Sequence, residues 1–416
     1  MAATKCKSAF AGPSTIYSAR NDPLGPHLEN FAGLLAEQGY CRLTARNKVR
    51  LLVDLSRWLE RKRIALKRLD EQQTTNFLET RWKRITRRSG DKATMSLLLR
   101  YLRQSKAILT PQPAACGAID LIERDYEGFL LKERALTEAS VDQYLPVVRR
   151  FLSHRFGNGG LALRKLSASE VINFVQHDAR SRGRRSAQLM TTVLRGFLGF
   201  LLREGRIVTN LAAAVPTIAG WRLSELPRFL EAAQVERLLH ACDRRTETGK
   251  RDYAILLLLA RLGLRAGEVA GLNLEDVDWN AGQLCIRGKG ARIDRLPLFH
   301  DVGQAIAEYL QRGRPHCSSK RVFIQSKAPY IGFGSPPSAI CGIVRRALSR
   351  AGLQPRHKGA HLLRHSLATR MLGQGASLMQ IGQVLRHEQP DTTEIYAKVN
   401  LHALRALAQP WPEGAP

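Results

Sequence analysis

The sequence predicts a mainly α-helical protein with one small antiparallel β-sheet in its last block. Apolar residues recur at helical spacing through most of the 416 residues. A single pair of short β-prone runs brackets a glycine-containing turn. The 44% hydrophobic content is enough for packed cores, and at roughly 100–200 residues per domain the length predicts two or three of them.

The first block, about Pro26–Lys106, has Leu51, Leu52, Leu55, Trp58 and Leu59 on one helical stripe, opposite a basic face of Arg50, Arg57, Arg61, Lys62 and Arg63. Pro111 and Pro113, within Thr110–Gly117, read as a linker. The second block, about Ala118–Asn210, is all helical, with Val141, Tyr144, Leu145, Val148, Phe151 and Leu152 on one stripe and Met190, Val193, Leu194, Phe197, Leu198 and Leu201 on another. Ser167 with Glu170 is a capping box. The basic turn Arg180–Arg185 suits either phosphate contact or a solvated loop, and a second linker is expected near Leu211–Arg228, with Pro216 and Pro227. Glu37-Gln38-Gly39-Tyr40 leading to Arg57-Trp58-Leu59 loosely echoes Glu133-Arg134-Ala135-Leu136 leading to Arg150-Phe151-Leu152, which suggests two similar helical modules.

The third block, about Ser224–Ala406, is mixed. Gln283–Ile286 and Ile293–Leu298 flank Arg287-Gly288-Lys289-Gly290-Ala291-Arg292 as a hairpin. Ile340, Ile343, Val344, Ala347 and Leu348 form a helical stripe stopped near Gly352, and Ser377 with Gln380 is another capping box. The domain boundaries drawn from this pattern are 1–112, 113–212, a linker at 213–228, 229–406, and a tail at 407–416.

The 65 Lys and Arg outnumber the 36 Asp and Glu, for a net charge of +29. Such a protein is drawn to polyanions, and arginine makes planar two-point contacts to phosphate. Seven cysteines at scattered positions, none in C-x-x-C spacing, argue against a disulfide framework or a structural zinc site. The longest apolar run, Tyr253–Ala260, is far short of the ~20 residues that span a bilayer. Met1–Arg20 lacks an apolar h-region, so no signal peptide and a cytoplasmic location are expected.

Four short patterns in the third block carry chemistry together. They are Gly263-Leu264-Arg265-Ala266-Gly267-Glu268, Gly288-Lys289-Gly290, His361-Leu362-Leu363-Arg364-His365, and Leu385-Arg386-His387 followed by Thr392-Thr393-Glu394-Ile395-Tyr396. Singly, each reads as a surface arginine, a turn or a packed helix face. In this order the set resembles the tyrosine recombinase, or phage integrase, family over roughly Ala118–Leu401. The string from His361 to Thr369 is similar to that family's H-x-L-R-H-x-x-A-T box, and Leu385 to Tyr396 to its L-G-H and T-T-x-x-Y box.

The resemblance implies a helical core-binding (SAM-like) domain followed by an α+β catalytic domain, clamped around a duplex. It assigns Tyr396 as the nucleophile, leaving a 3′-phosphotyrosine and a free 5′-hydroxyl. Arg265 and Arg364 would clamp the non-bridging oxygens and Lys289 would protonate the leaving 5′-oxygen. His361 would assist proton transfer, and His387 would donate a hydrogen bond to the phosphate. Breaking a phosphodiester this way needs no metal, ATP or other cofactor. Asp391 and Glu394 suggest a cap that sets Tyr396 early in a helix, where the dipole favours phenolate. Glu268 reads as a structural partner.

The partners implied are double-stranded DNA at specific sites and a homotetramer on it, acting alone or with partner recombinases, with no membrane. A mobile element is the expected biology. The leucines after Val399 (Leu401, Leu404, Leu407) suit docking on a neighbouring subunit or a frayed end. Arg386 departs from the family's usual Gly, as a cation near the phosphate or a surface charge. The rivals are a zinc site on His361 and His365, which lacks the H-E-x-x-H glutamate, and a non-enzymatic DNA-binding protein on the same fold, which has no need of all six residues.

Overall fold

The computed structural model describes residues 22–88, 90–109, 117–157, 160–219, 227–288, 292–334 and 337–399. The chain divides into two compact units, Gln112–Glu225 and Met1–Pro111 together with Leu226–Pro416. Among the described residues no helix is long and apolar enough to cross a membrane. Residues 110–116 of the predicted Thr110–Gly117 linker, the middle of the second linker and the leucine tail lie outside the described residues.

Residues 25–104 form four helices, α1 (Gly25–Glu37), α2 (Arg42–Arg61), α3 (Glu71–Trp82) and α4 (Asp91–Gln104), with a 3-10 turn at Leu66–Arg68 between α2 and α3. The predicted stripe of α2 is buried in a core with Leu28, Phe31, Phe77, Leu98 and Leu102. Asp70 stops the preceding extended chain and starts α3 by accepting a hydrogen bond from the Gln73 amide at 2.7 Å.

The second unit is also helical: α5 (Ala118–Lys132), α6 (Glu138–Phe156), a 3-10 turn at Leu163–Lys165, α7 (Ala168–Arg180) and α8 (Arg184–Arg203). Both predicted stripes face its core around Tyr126, Phe151 and Phe197. The Ser167–Glu170 capping box forms, with the Ser167 amide 2.9 Å from a Glu170 oxygen. The expected linker begins too early. Leu211 and Val215 are buried in this core, and Arg195 donates to the Val215 and Pro216 carbonyls at 3.0 and 3.1 Å, tying the segment down. Within the basic turn, Arg182 is bound to Asp178, so part of its charge is matched inside the fold.

The remaining residues build the mixed block: α9 (Ala232–His240), α10 (Glu247–Arg261), the short α11 (Ala266–Gly271), strands β1 (Val277–Asp278), β2 (Gln283–Arg287) and β3 (Ile293–Pro297), then α12 (His300–Arg312), α13 (Ser338–Arg350), α14 (His361–Gly373) and α15 (Leu378–Leu385). The sheet is antiparallel in the order β1-β2-β3, and Arg287 pairs with Ile293 across the predicted hairpin. Residues Ala254–Ala260 of α10 are buried on every side, as expected for a central helix, and α12 and α14 pack on it. The Ser377 and Gln380 cap opens α15, and Gly352, at φ +65°, follows α13.

Candidate active site

Five of the six predicted residues lie among the described ones, and Lys289 lies outside them. Arg265 sits where the chain enters α11. Its amide and one guanidinium nitrogen both bind Glu268, at 2.8 and 2.9 Å. The other terminal nitrogen reaches the Arg386 carbonyl at 3.4 Å. The Arg265 side chain remains 38% exposed. It faces a cleft of about 590 Å³ lined also by Arg287, Gly288, His387 and Thr392. Glu268 thus aims the guanidinium at the cleft, which is the structural role its spacing suggested.

Arg364 lies below that surface and is 4% exposed. Its two terminal nitrogens donate to the Gly263 and Leu385 carbonyls. Burial, with Arg265 nearby, brings its pKa down to about 10. Each terminal nitrogen uses one N–H on a carbonyl and keeps a second. Gly263 makes this fit: at φ +59°, a Cβ there would stand 2.7 Å from Leu385 and 3.0 Å from Leu367.

Arg386 is neither a surface charge nor a free cation beside the cleft. It ends α15 in the left-handed region at φ +55°, with its side chain 6% exposed. It donates to Glu268 at 2.7 Å and approaches Asp294 of β3 at 3.7 Å. One carboxylate, Glu268, therefore holds Arg265 and Arg386 together, and Arg386 carries that network to the hairpin.

The expectation for Tyr396 is corrected. It lies in a six-residue 3-10 segment, Glu394–Val399, and not early in an α-helix. It is 1% exposed, packed with Leu367, Ala368, Ile381 and Leu385. Burial pushes its pKa up to about 12, and the nearby Arg364 only partly offsets this. Desolvation outweighs any dipole from so short a segment.

The phenol oxygen is 2.8 Å from Nδ1 of His365. Burial first, then His361 and Arg364, lower the His365 pKa to about 4. The imidazole is neutral at pH 7, and in its Nε2–H tautomer Nδ1 accepts from the phenol. His361, one turn earlier with its ring centroid 6.4 Å from that of His365, is exposed at the start of α14. His387 is neutral for the same reason, lowered to about 4 by burial and by the two arginines. Its Nδ1 is 2.7 Å from the Thr393 hydroxyl.

Sequence reasoning missed His365 as a site residue and read it only within the box or as a zinc rival. Its spacing was the available signal: i, i+4 from His361 places both rings on one face of α14. The structure gives that nitrogen to Tyr396.

Residues 228–402 match the phage integrase family, and residues 124–205 match the phage integrase N-terminal SAM-like domain. A Sinorhizobium fredii protein named integrase/recombinase y4rA is 44% identical over 94% of this chain and 95% of its own. Tyrosine recombinase XerC of Oceanobacillus iheyensis is 30% identical over 58% of this chain and 82% of its own. Among solved structures, a lambda integrase tetramer bound to a Holliday junction shares the fold, with TM-score 0.52 and 15% identity over 80% of this chain and 91% of that one.

Proposed function

The chain belongs to the phage integrase family and is a site-specific tyrosine recombinase, and from that premise we propose that it cuts and rejoins DNA through a covalent 3′-phosphotyrosine on Tyr396, using neither metal nor ATP. The observation that carries this reading is the Tyr396 hydroxyl held 2.8 Å from a neutral His365, on the helix that also bears Arg364.

The phenol keeps its proton until a phosphate arrives. A docked phosphodiester places negative charge near His365 and makes that imidazole more basic. As the Tyr396 oxygen bonds to phosphorus, its proton passes to His365 Nδ1. The bond from phosphorus to the 5′-oxygen breaks, and that oxygen takes a proton from Lys289, with His361 assisting. Arg265, the second N–H groups of Arg364 and the His387 ring hold the charge that builds on the non-bridging oxygens. In rejoining, a 5′-hydroxyl returns its proton to Lys289 as it attacks the phosphotyrosine, and the departing phenolate recovers its proton from His365. The linkage keeps the phosphodiester's bond energy, so no nucleotide is consumed.

Residues 113 to about 216 serve as the core-binding domain and 229–406 as the catalytic domain, acting as a homotetramer on two sites in the cytoplasm. Integration or transposition of a mobile element is the biology this supports. Covalent capture tests the reading. Wild type and Tyr396→Phe are expressed beside the DNA flanking their gene, denatured and purified, and any attached DNA is sequenced. Adducts from wild type alone are expected, and they also reveal the site. Intact DNA binding with no adduct from either protein would replace this reading with that of a DNA-binding protein on the same fold.

A further inference from the structure

The two four-helix regions match element by element. Each runs helix, helix, 3-10 turn, helix, helix, over Gly25–Gln104 and again over Ala118–Arg203. Leu43-Thr44 precedes Arg57-Trp58-Leu59 by the same separation that Leu136-Thr137 precedes Arg150-Phe151-Leu152. Ala65-Leu66-Lys67-Arg68-Leu69-Asp70 answers Ala162-Leu163-Arg164-Lys165-Leu166-Ser167, and the last residue of each string caps the next helix.

The cores repeat as well. Trp58 meets Phe77 edge-on at 5.9 Å, and Phe151 meets Phe174 edge-on at 5.2 Å. Both aromatic partners follow an asparagine, in Asn76-Phe77 and Asn173-Phe174. Past the fourth helix each region turns through a left-handed residue, Lys106 and Gly205. The next amide returns to the helix at 2.9 Å in both, Ala107 to Leu102 and Arg206 to Leu201. Ile108 and Ile207 are then buried, while Leu109 and Val208 are exposed. Agreement in order, caps, aromatic pair and chain reversal is more than two helical bundles share by their packing rules alone.

We infer that residues 25–109 are a second copy of the core-binding module, and that this copy grips double-stranded DNA through the arginine row of α2. The inference rests on the recombinase reading only for the second copy's role. The row is Arg42, Arg46, Arg50, Arg57 and Arg61, all exposed on one face of a 20-residue helix. At 1.5 Å per residue it reaches about 30 Å, roughly eight base pairs of backbone.

Asp54 at its edge is bound to Arg81 at 3.2 Å, and Glu60 is the exposed carboxylate beside it. In the second copy Ala139, Gln143 and Arg150 stand where Arg46, Arg50 and Arg57 do, and Arg150 lies 3.8 Å from Asp178. Between residues 24 and 109 the chain has nineteen Lys and Arg against eight Asp and Glu. The first copy therefore carries a phosphate-binding face that the second lacks on the same helix.

The test uses the full chain with Arg46→Ala, Arg50→Ala and Arg57→Ala combined, beside the matching triple Lys variant. The probes are a random-sequence 60-base-pair duplex and a duplex carrying the captured site with its flanks. The slope of log K against log salt should fall by about 2–3 for the Ala triple and hold for the Lys triple. Nuclease protection should shorten at one flank of the captured site by roughly eight base pairs. An unchanged slope and footprint overturn the inference, as does an unchanged slope with fewer protomers per duplex, which would give the row to a neighbouring copy. A slope lost equally in the Lys triple also overturns it, since the charge is then not what acts. If wild type forms no adduct the recombinase reading fails, while the random duplex still decides whether α2 touches DNA.

Discussion

The site has two walls built on opposite principles. On the α14 side, Arg364 and Tyr396 are almost wholly buried, Arg364 donating to two carbonyls and the Tyr396 hydroxyl paired with His365. On the hairpin side, β3 has no buried residue, and Arg265 stands with 38% of its side chain in solvent. One wall is hydrogen-bonded within the fold, whereas the other presents charge to solvent. In the proposed mechanism Tyr396 suits the first wall, because a buried phenol stays protonated and unreactive until phosphate is present. Arg265 belongs to the second because Glu268 fixes one terminal nitrogen while the side chain stays 38% exposed, so most of its hydration is kept.

The contrast is broken most severely by Arg364→Ala. Cleavage should be abolished, and the Gly263 and Leu385 carbonyls would be left buried without donors. A stability loss of roughly 2–5 kcal/mol is expected, read as a fall in the urea midpoint. A variant of wild-type stability would show that the arginine does not hold the wall. Arg265→Lys tests the open wall. Adduct formation should drop roughly 100–1,000-fold, with thermal stability nearly unchanged, because a lysine cannot bind Glu268 and reach the cleft together. Near-normal cleavage would remove Arg265 from the phosphate clamp.

The smallest effect is on acid stability. His365 and His387 have folded pKa values of about 4, below the ordinary 6.5. As pH falls, the unfolded chain takes up these protons first, so their stabilisation is complete above about 6.5 and is lost between there and about 4. Melting temperature should fall by a few degrees from pH 7 to pH 5. The double variant with Gln at both positions should flatten that slope, and an equally steep slope would place the acid sensitivity elsewhere.

Much of this is legible along the chain. The capping boxes at Ser167 and Ser377, the β2–β3 hairpin and the stripes of α2 and α8 depend on residues within a few positions of each other, and all form. The dense Arg265-to-Tyr396 set was legible for the same reason, since each motif is short. The echo between Arg57-Trp58-Leu59 and Arg150-Phe151-Leu152 was also visible in the sequence. Its reach was not, because the four residues Gly157–Gly160 that lengthen the second copy disturb the register between matching strings.

The sequence by itself determined which chemical groups this protein owns, where its helices begin and which strands pair as the β2–β3 hairpin, because local backbone preference and side-chain period set those. Only the tertiary structure decided what the groups meet. Tyr396 finds His365 from 31 positions away, and Arg386 finds Glu268 from 118. The raised phenol and the neutral histidines follow from those meetings, since desolvation is the work of neighbours that the order of residues along the chain does not name.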